Sequence, residues 1–147
     1  MYYMGLDVGS SSVKAALVEA KLGKSIQSVH EPKNEMSISS LKNDWAEQDP
    51  NVWWKYTCTA IKRVCKESNI DPKKIISIGI SYQMHGLVIV DKNGEPLRDS
   101  IIWCDSRAVN IGNDAYEKLG EDKCMSHLLN SPGNFTINQA VKIVNTN

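Results

Sequence analysis

An α/β fold built on a mixed β-sheet is what this sequence predicts, and three observations carry it. Residues 2–31 contain three short β-type runs joined by tight turns. Residues 50–68 repeat apolar side chains at helical spacing, and residues 75–81 return to an apolar strand before further helix. Three strands, a helix, a strand and then more helix is an α/β order.

The three opening strands are expected at 2–8, 12–19 and 25–31. The run Val13-Lys14-Ala15-Ala16-Leu17-Val18 is short, partly β-branched and followed by Lys21-Leu22-Gly23-Lys24, which favours strand over helix. Residues 32–48 form a polar, irregular connection. Asp49 then supplies an N-cap with Pro50 at the first helical position. Trp53, Tyr56, Thr57, Ala60, Ile61 and Val64 recur on one helical face, and Trp53 and Trp54 are expected to anchor that helix on the sheet. Asp71-Pro72 closes the helical region, and residues 75–81 are expected to be a buried strand. Asn93-Gly94 marks a hairpin turn between residues 87–90 and 95–97. Ile101-Ile102-Trp103 is a short apolar strand. Helices are expected at 106–119, 121–129 and 136–144, with a break at Ser131-Pro132-Gly133-Asn134.

The 147 residues suit one domain, without repeats or an interdomain linker. Seventeen basic and seventeen acidic side chains cancel, which argues against nucleic acid or an anionic membrane as partner. The start Met1-Tyr2-Tyr3-Met4 lacks the features of a signal peptide, and no run approaches the roughly 20 apolar residues of a membrane span. Cys58, Cys65, Cys104 and Cys124 form no C-x-x-C pair, as expected of reduced thiols. The expected compartment is the cytoplasm.

Residues 5–14 hold the first chemical signal. An apolar strand runs into Asp7, then Gly9-Ser10-Ser11-Ser12, and the next strand opens with Val13-Lys14. Glycine lets successive amides face one concavity that suits phosphate oxygens, and Asp7 is a carboxylate for hydrated Mg²⁺. A hairpin turn rich in small residues explains the same run. Neither a Walker A loop nor G-x-G-x-x-G occurs in the chain.

The second signal, Ser81-Tyr82-Gln83-Met84-His85-Gly86, follows a strand, where ligands of open α/β sheets bind. Gln83 and His85 suit hydroxyl groups, while Met84 and Trp103 offer apolar surface to a sugar's C–H face. Asp105, in Trp103-Cys104-Asp105-Ser106-Arg107, either accepts sugar hydroxyls, caps the following helix or pairs with Arg107.

Four segments, in order, resemble the N-terminal part of the FGGY carbohydrate kinases, and within that family its xylulokinase branch. They are residues 5–14; Trp45-Ala46-Glu47-Gln48-Asp49-Pro50 with Trp53-Trp54; Gln83-Met84-His85-Gly86-Leu87; and Ile102-Trp103-Cys104-Asp105-Ser106-Arg107. The resemblance extends to about residue 136. It implies a ribonuclease-H-like (actin-like ATPase) domain, truncated here, with the C-terminal FGGY domain absent. It places Asp7, Gly9, Ser10, Ser11 and Lys14 at the phosphates of ATP and its Mg²⁺. Gln83, Met84, His85, Trp103 and Asp105 would line the site of a ketopentose, D-xylulose foremost. Cys104 stands where relatives often carry Asn, and Ser10 replaces a commoner Thr.

The family's catalytic aspartate belongs to a downstream Gly-Asp-Asn segment that these residues do not contain. The chain alone is therefore expected to be inactive, and an exposed half-cleft is expected to promote homo-oligomers. Kinases of gluconate or another pentulose, and a non-catalytic binding or structural fragment, are the competing readings.

Overall fold

The computed structural model describes residues 1–133 and 135–144. In chain order the elements are β1 (Tyr2–Val8), β2 (Val13–Glu19), β3 (Lys24–Glu31), β4 (Glu47–Gln48), α1 (Pro50–Glu67), β5 (Ile75–Tyr82), β6 (Ser100–Ile101), α2 (Val109–Leu119), α3 (Glu121–Lys123) and α4 (Thr136–Val144). One 3₁₀ turn (Pro72–Lys74) precedes β5, and one π-helical turn (Cys124–Leu128) follows α3. The chain divides into two compact units, one comprising 1–37 and 49–83, the other 38–48 and 84–147. Each is discontinuous, so no linker marks a boundary in the sequence.

The first unit is a four-stranded mixed sheet in the order β3-β2-β1-β5. β1 and β2 are antiparallel, as are β2 and β3, whereas β1 and β5 are parallel. Asp49 starts α1 as expected: its carboxylate accepts from the Asn51 N–H at 2.9 Å, and Pro50 follows at a position that needs no donor. Met4, Leu6, Val13, Ala15, Leu17 and Val29 of the sheet meet Ala60, Val64 and Cys65 of α1 in one core. Burial pushes the Cys65 thiol pKa up, which keeps it protonated. Arg63 binds the helix to the sheet edge, 2.7 Å from both Glu31 and Glu67.

Two expectations change here. Trp53 is half-buried, but Trp54 is 69% exposed, so the second of the pair does not anchor the helix. β5 forms as expected yet is not buried. Ile78 and Ile80 pair with Met4 and Leu6 and so point to the same face of the sheet. The helix α1 lies over β2 and β3 and leaves that face of β5 uncovered, with Ile80 64% exposed. Residue-level hydrophobicity predicts a buried strand, whereas burial is decided by what lies above it.

The second unit is held by loops and short elements. β4 pairs with β6, Glu47 opposite Ile101 and Gln48 opposite Ser100. The segment 87–97 forms the expected turn, with the Asp91 carboxylate accepting from the Asn93 and Glu95 N–H groups at 2.8 and 2.9 Å. Those bonds hold the Asp91 pKa below the usual carboxylate range. Its flanks join through one bridge, Val90 to Pro96, rather than as full strands. Helix α2 starts at Val109, three residues later than expected, and no side chain caps it. The expected helix 121–129 is α3 followed by the π turn. Of the residues named in the sequence reading, Asn134 and residues 145–147 lie outside the described set.

Candidate functional site

The Asp7-to-Lys14 segment is a strand–turn–strand. Register places Asp7 beside Lys14, and alternation places both on the sheet face opposite the α1 core. The Lys14 ammonium donates to Asp7 Oδ2 at 2.9 Å, with the two side chains 61% and 45% exposed. So open a pair contributes about 0–1 kcal/mol to stability and stays available to a ligand's charge. Gly9 donates to the Ser12 carbonyl at 3.1 Å, and a Cβ on Gly9 would stand 3.2 Å from that oxygen. The turn is therefore close-packed as well as small. The Ser11 carbonyl accepts from the Met36 N–H at 2.8 Å, which ties the turn to the chain beyond β3. Ser10 is half-buried and Ser11 exposed.

Gln83 directly follows β5 beside this turn, its N–H donating to the Val8 carbonyl at 3.0 Å. Both polar atoms of its side chain are buried and have no hydrogen-bond partner among the described residues. An orphaned amide is costly unless a ligand or water satisfies it. The carboxyl ends of the parallel strands β1 and β5 thus carry a carboxylate, a tight turn and an unsatisfied amide. Among the described residues no three His, Cys, Asp or Glu side chains cluster as metal ligands. A divalent cation at this turn would rest on Asp7 and on phosphate and water oxygens, a set that suits Mg²⁺.

In the second unit Asp105 is buried and saturated. Its carboxylate accepts from the Ala46 N–H at 2.6 Å and from Arg107 Nε and Nη2 at 2.9 and 2.7 Å. Arg107 also lies 2.6 Å from Glu47, which a second arginine, Arg98, contacts from outside. Its guanidinium stacks on Trp45, 3.7 Å from the ring centroid. Burial pulls the Arg107 pKa down, but hydrogen bonds to Asp105 and Glu47 outweigh that and hold it above its usual value. Of the three roles open to Asp105 in the sequence, the structure displays the pairing with Arg107. The cap is excluded by the later start of α2. The Trp45-Ala46-Glu47-Gln48 motif is thereby a structural clasp that joins residues 45–48 to 100–107.

Met84, His85 and Trp103 do converge. They line a cavity of about 510 Å³ with Val109, Asn113, Asn130, Ser131, Gly133 and Phe135. Met84 is 64% and Trp103 49% exposed, so both present apolar surface to solvent. His85 takes a left-handed backbone at φ 62°, a conformation that costs a non-glycine residue about 1–3 kcal/mol and recurs at ligand clamps. Directly after it, Leu87 and Ile101 exchange backbone hydrogen bonds at 2.8 and 3.2 Å and fix the loop. The imidazole stacks on Phe135, with centroids 4.9 Å apart and planes 17° apart. Apolar walls with a few amide, hydroxyl and imidazole groups are what a polyol needs. Asp105 and Gln83 are not among the lining residues. The sequence reading missed Asn113, Asn130, Ser131 and Phe135, which reach the cavity from α2 and from the chain between the π turn and α4. Their one sequence signal was the Pro132-Gly133 break, which bends the chain toward it.

The far wall is set by a close helix contact. A Cβ on Gly112 of α2 would come 2.5 Å from Gly133 Cα and 2.8 Å from the Pro132 carbonyl. Only glycine permits that approach. Asn138 of α4 donates to the same carbonyl, and the Thr136 hydroxyl donates to the Gly86 carbonyl at 3.3 Å.

Comparison with known proteins gives one answer. Residues 2–144 match the N-terminal domain of the FGGY family of carbohydrate kinases. A xylulose kinase of Staphylococcus epidermidis is 40% identical over 104 residues, 71% of this chain and 20% of that protein. A xylulose kinase of Klebsiella pneumoniae is 32% identical over 131 residues, 89% of this chain and 26% of that protein. The crystal structure of a xyloylose kinase from Brucella ovis superposes with a TM-score of 0.85 at 29% identity, covering 99% of this chain and 29% of that one. The chain thus spans a fifth to under a third of these relatives' lengths. The mixed-sheet α/β architecture is the actin-like ATPase fold of the sugar kinases, and the chain belongs to the FGGY family of carbohydrate kinases, as its N-terminal domain.

Proposed function

We propose that this chain is the N-terminal part of an ATP-dependent ketopentose kinase that converts D-xylulose to D-xylulose 5-phosphate. In that reaction the sugar 5-hydroxyl attacks the γ-phosphorus, the bond to the β–γ bridging oxygen breaks, and ADP leaves. The observation that carries the reading is the cavity formed by Met84, His85 and Trp103. Its apolar walls suit C–H faces, while His85, Asn113, Asn130 and Ser131 offer partners to hydroxyls. The turn at Gly9-Ser10-Ser11, with Lys14 and Asp7, would hold the phosphates and their Mg²⁺, which supplies charge neutralisation when bound.

By this reading the chain binds but does not turn over. No carboxylate lines the cavity among the described residues, and an aspartate is the base that the family resemblance leads one to expect. A positioned base contributes about 10²–10⁴-fold to such a step. Calorimetry on the purified 147-residue chain tests the reading. D-xylulose should bind, and His85→Ala should weaken it at least tenfold. Asp7→Asn should weaken Mg-ATP without changing the sugar titration. Tighter binding of D-gluconate than of D-xylulose would move the chain to gluconate kinases, of which one from Lactobacillus acidophilus is 30% identical with a TM-score of 0.71. Robust turnover of D-xylulose by these residues alone would overturn the claim that they bind without turning over.

A further inference from the structure

We infer that Phe135 is a positioning residue for His85, holding the imidazole plane against the cavity wall. The inference rests on the sugar-site reading for its purpose, though not for its geometry. The His85 backbone is fixed by its left-handed conformation and by the Leu87–Ile101 pair behind it. Its side chain is not: among the described residues no hydrogen bond or ion pair engages the imidazole, and the near-parallel stack on Phe135 is the contact that orients it. An imidazole without such a contact rotates about its side-chain bonds and offers no constant donor or acceptor direction to a hydroxyl.

Phe135 is itself held from several sides. Its N–H donates to the Pro132 carbonyl at 3.1 Å, and its carbonyl accepts from the Asn138 N–H at 2.9 Å. Its neighbour Thr136 donates to Gly86, the residue after His85. Pro132 and Gly133 are pressed against Gly112 of α2, where no side chain fits. The order of dependence runs from the Gly112 contact to Pro132 and Gly133, from there to the Phe135 ring, and from the ring to His85. Phe135 also lines the cavity, and the stack presents one imidazole face to its ring.

Proton NMR on the intact chain tests this in two stages. The wild type should show cross-relaxation between the His85 and Phe135 rings and upfield-shifted His85 ring protons. Their absence overturns the inference without any variant. Phe135→Leu should return the His85 ring signals toward random-coil positions and weaken D-xylulose about tenfold, the effect of losing one aromatic pair. Phe135→Tyr, which keeps the ring, should stay within twofold on both readouts. His85 signals that stay at their wild-type positions in a folded Phe135→Leu variant, or equal loss in Phe135→Tyr, would overturn the positioning role. If the wild type binds no D-xylulose, the sugar reading fails, and the ring measurements still decide whether Phe135 orients His85.

Discussion

The two units carry their candidate chemistry in opposite ways. In the first, Asp7, Gly9, Ser10, Ser11 and Lys14 lie within one strand–turn–strand, and sheet register sets their spacing. In the second, the cavity gathers Met84, His85 and Trp103 with Val109 and Asn113 of α2 and with Asn130, Ser131, Gly133 and Phe135, beside a close helix contact at a glycine. A site on neighbouring strands inherits its geometry from the sheet. A site on loops needs dedicated fasteners, and those fasteners are where substitution should do most damage.

That contrast is broken most directly at Arg107. Its side chain is 4% exposed and serves Asp105 and Glu47, so Arg107→Ala leaves the buried Asp105 carboxylate without its cation and Glu47 with Arg98 alone. A loss of about 3–5 kcal/mol is expected by urea denaturation, with hydrogen exchange at the Ala46 amide accelerated first. A loss below about 1 kcal/mol would show that the clasp is dispensable. Next comes Gly112→Ala, expected to cost about 1–3 kcal/mol because the new methyl meets backbone rather than a yielding side chain. It should also weaken D-xylulose, whereas the Mg-ATP titration should be unchanged. The smallest effect is expected at Ile80→Thr, below about 0.5 kcal/mol, because that isoleucine is already exposed. A cost near the 2–5 kcal/mol typical of a core leucine would mean that something covers β5 in solution.

Legibility in the sequence followed the same division. The three opening strands, the Asp49-Pro50 cap and α1 lie within a residue or so of where spacing puts them, because local pattern and local hydrogen bonding decide them. Met84, His85 and Trp103 were legible as a group through the family motifs that carry them. Phe135 and Asn113 were not, since nothing local distinguishes a ring that stacks on a distant imidazole from one that fills a core. Asp105 shows the limit from the other side. Its place in a polar cluster left three roles open, and the distances to Arg107 and Ala46 display one of them, the ion pair.

The Ala46–Asp105 hydrogen bond spans 59 residues of chain. During synthesis at about 5–20 residues per second, Ala46 and Glu47 would emerge about 3–12 s before Asp105 and Arg107. Over that interval all of α1 and β5 appears, and the first unit has every strand it needs. Glu47 meanwhile has only water for company, which a carboxylate tolerates well. The clasp is thus written in polar residues whose early half is harmless while it waits, and whose late half completes it only once the intervening chain has been made.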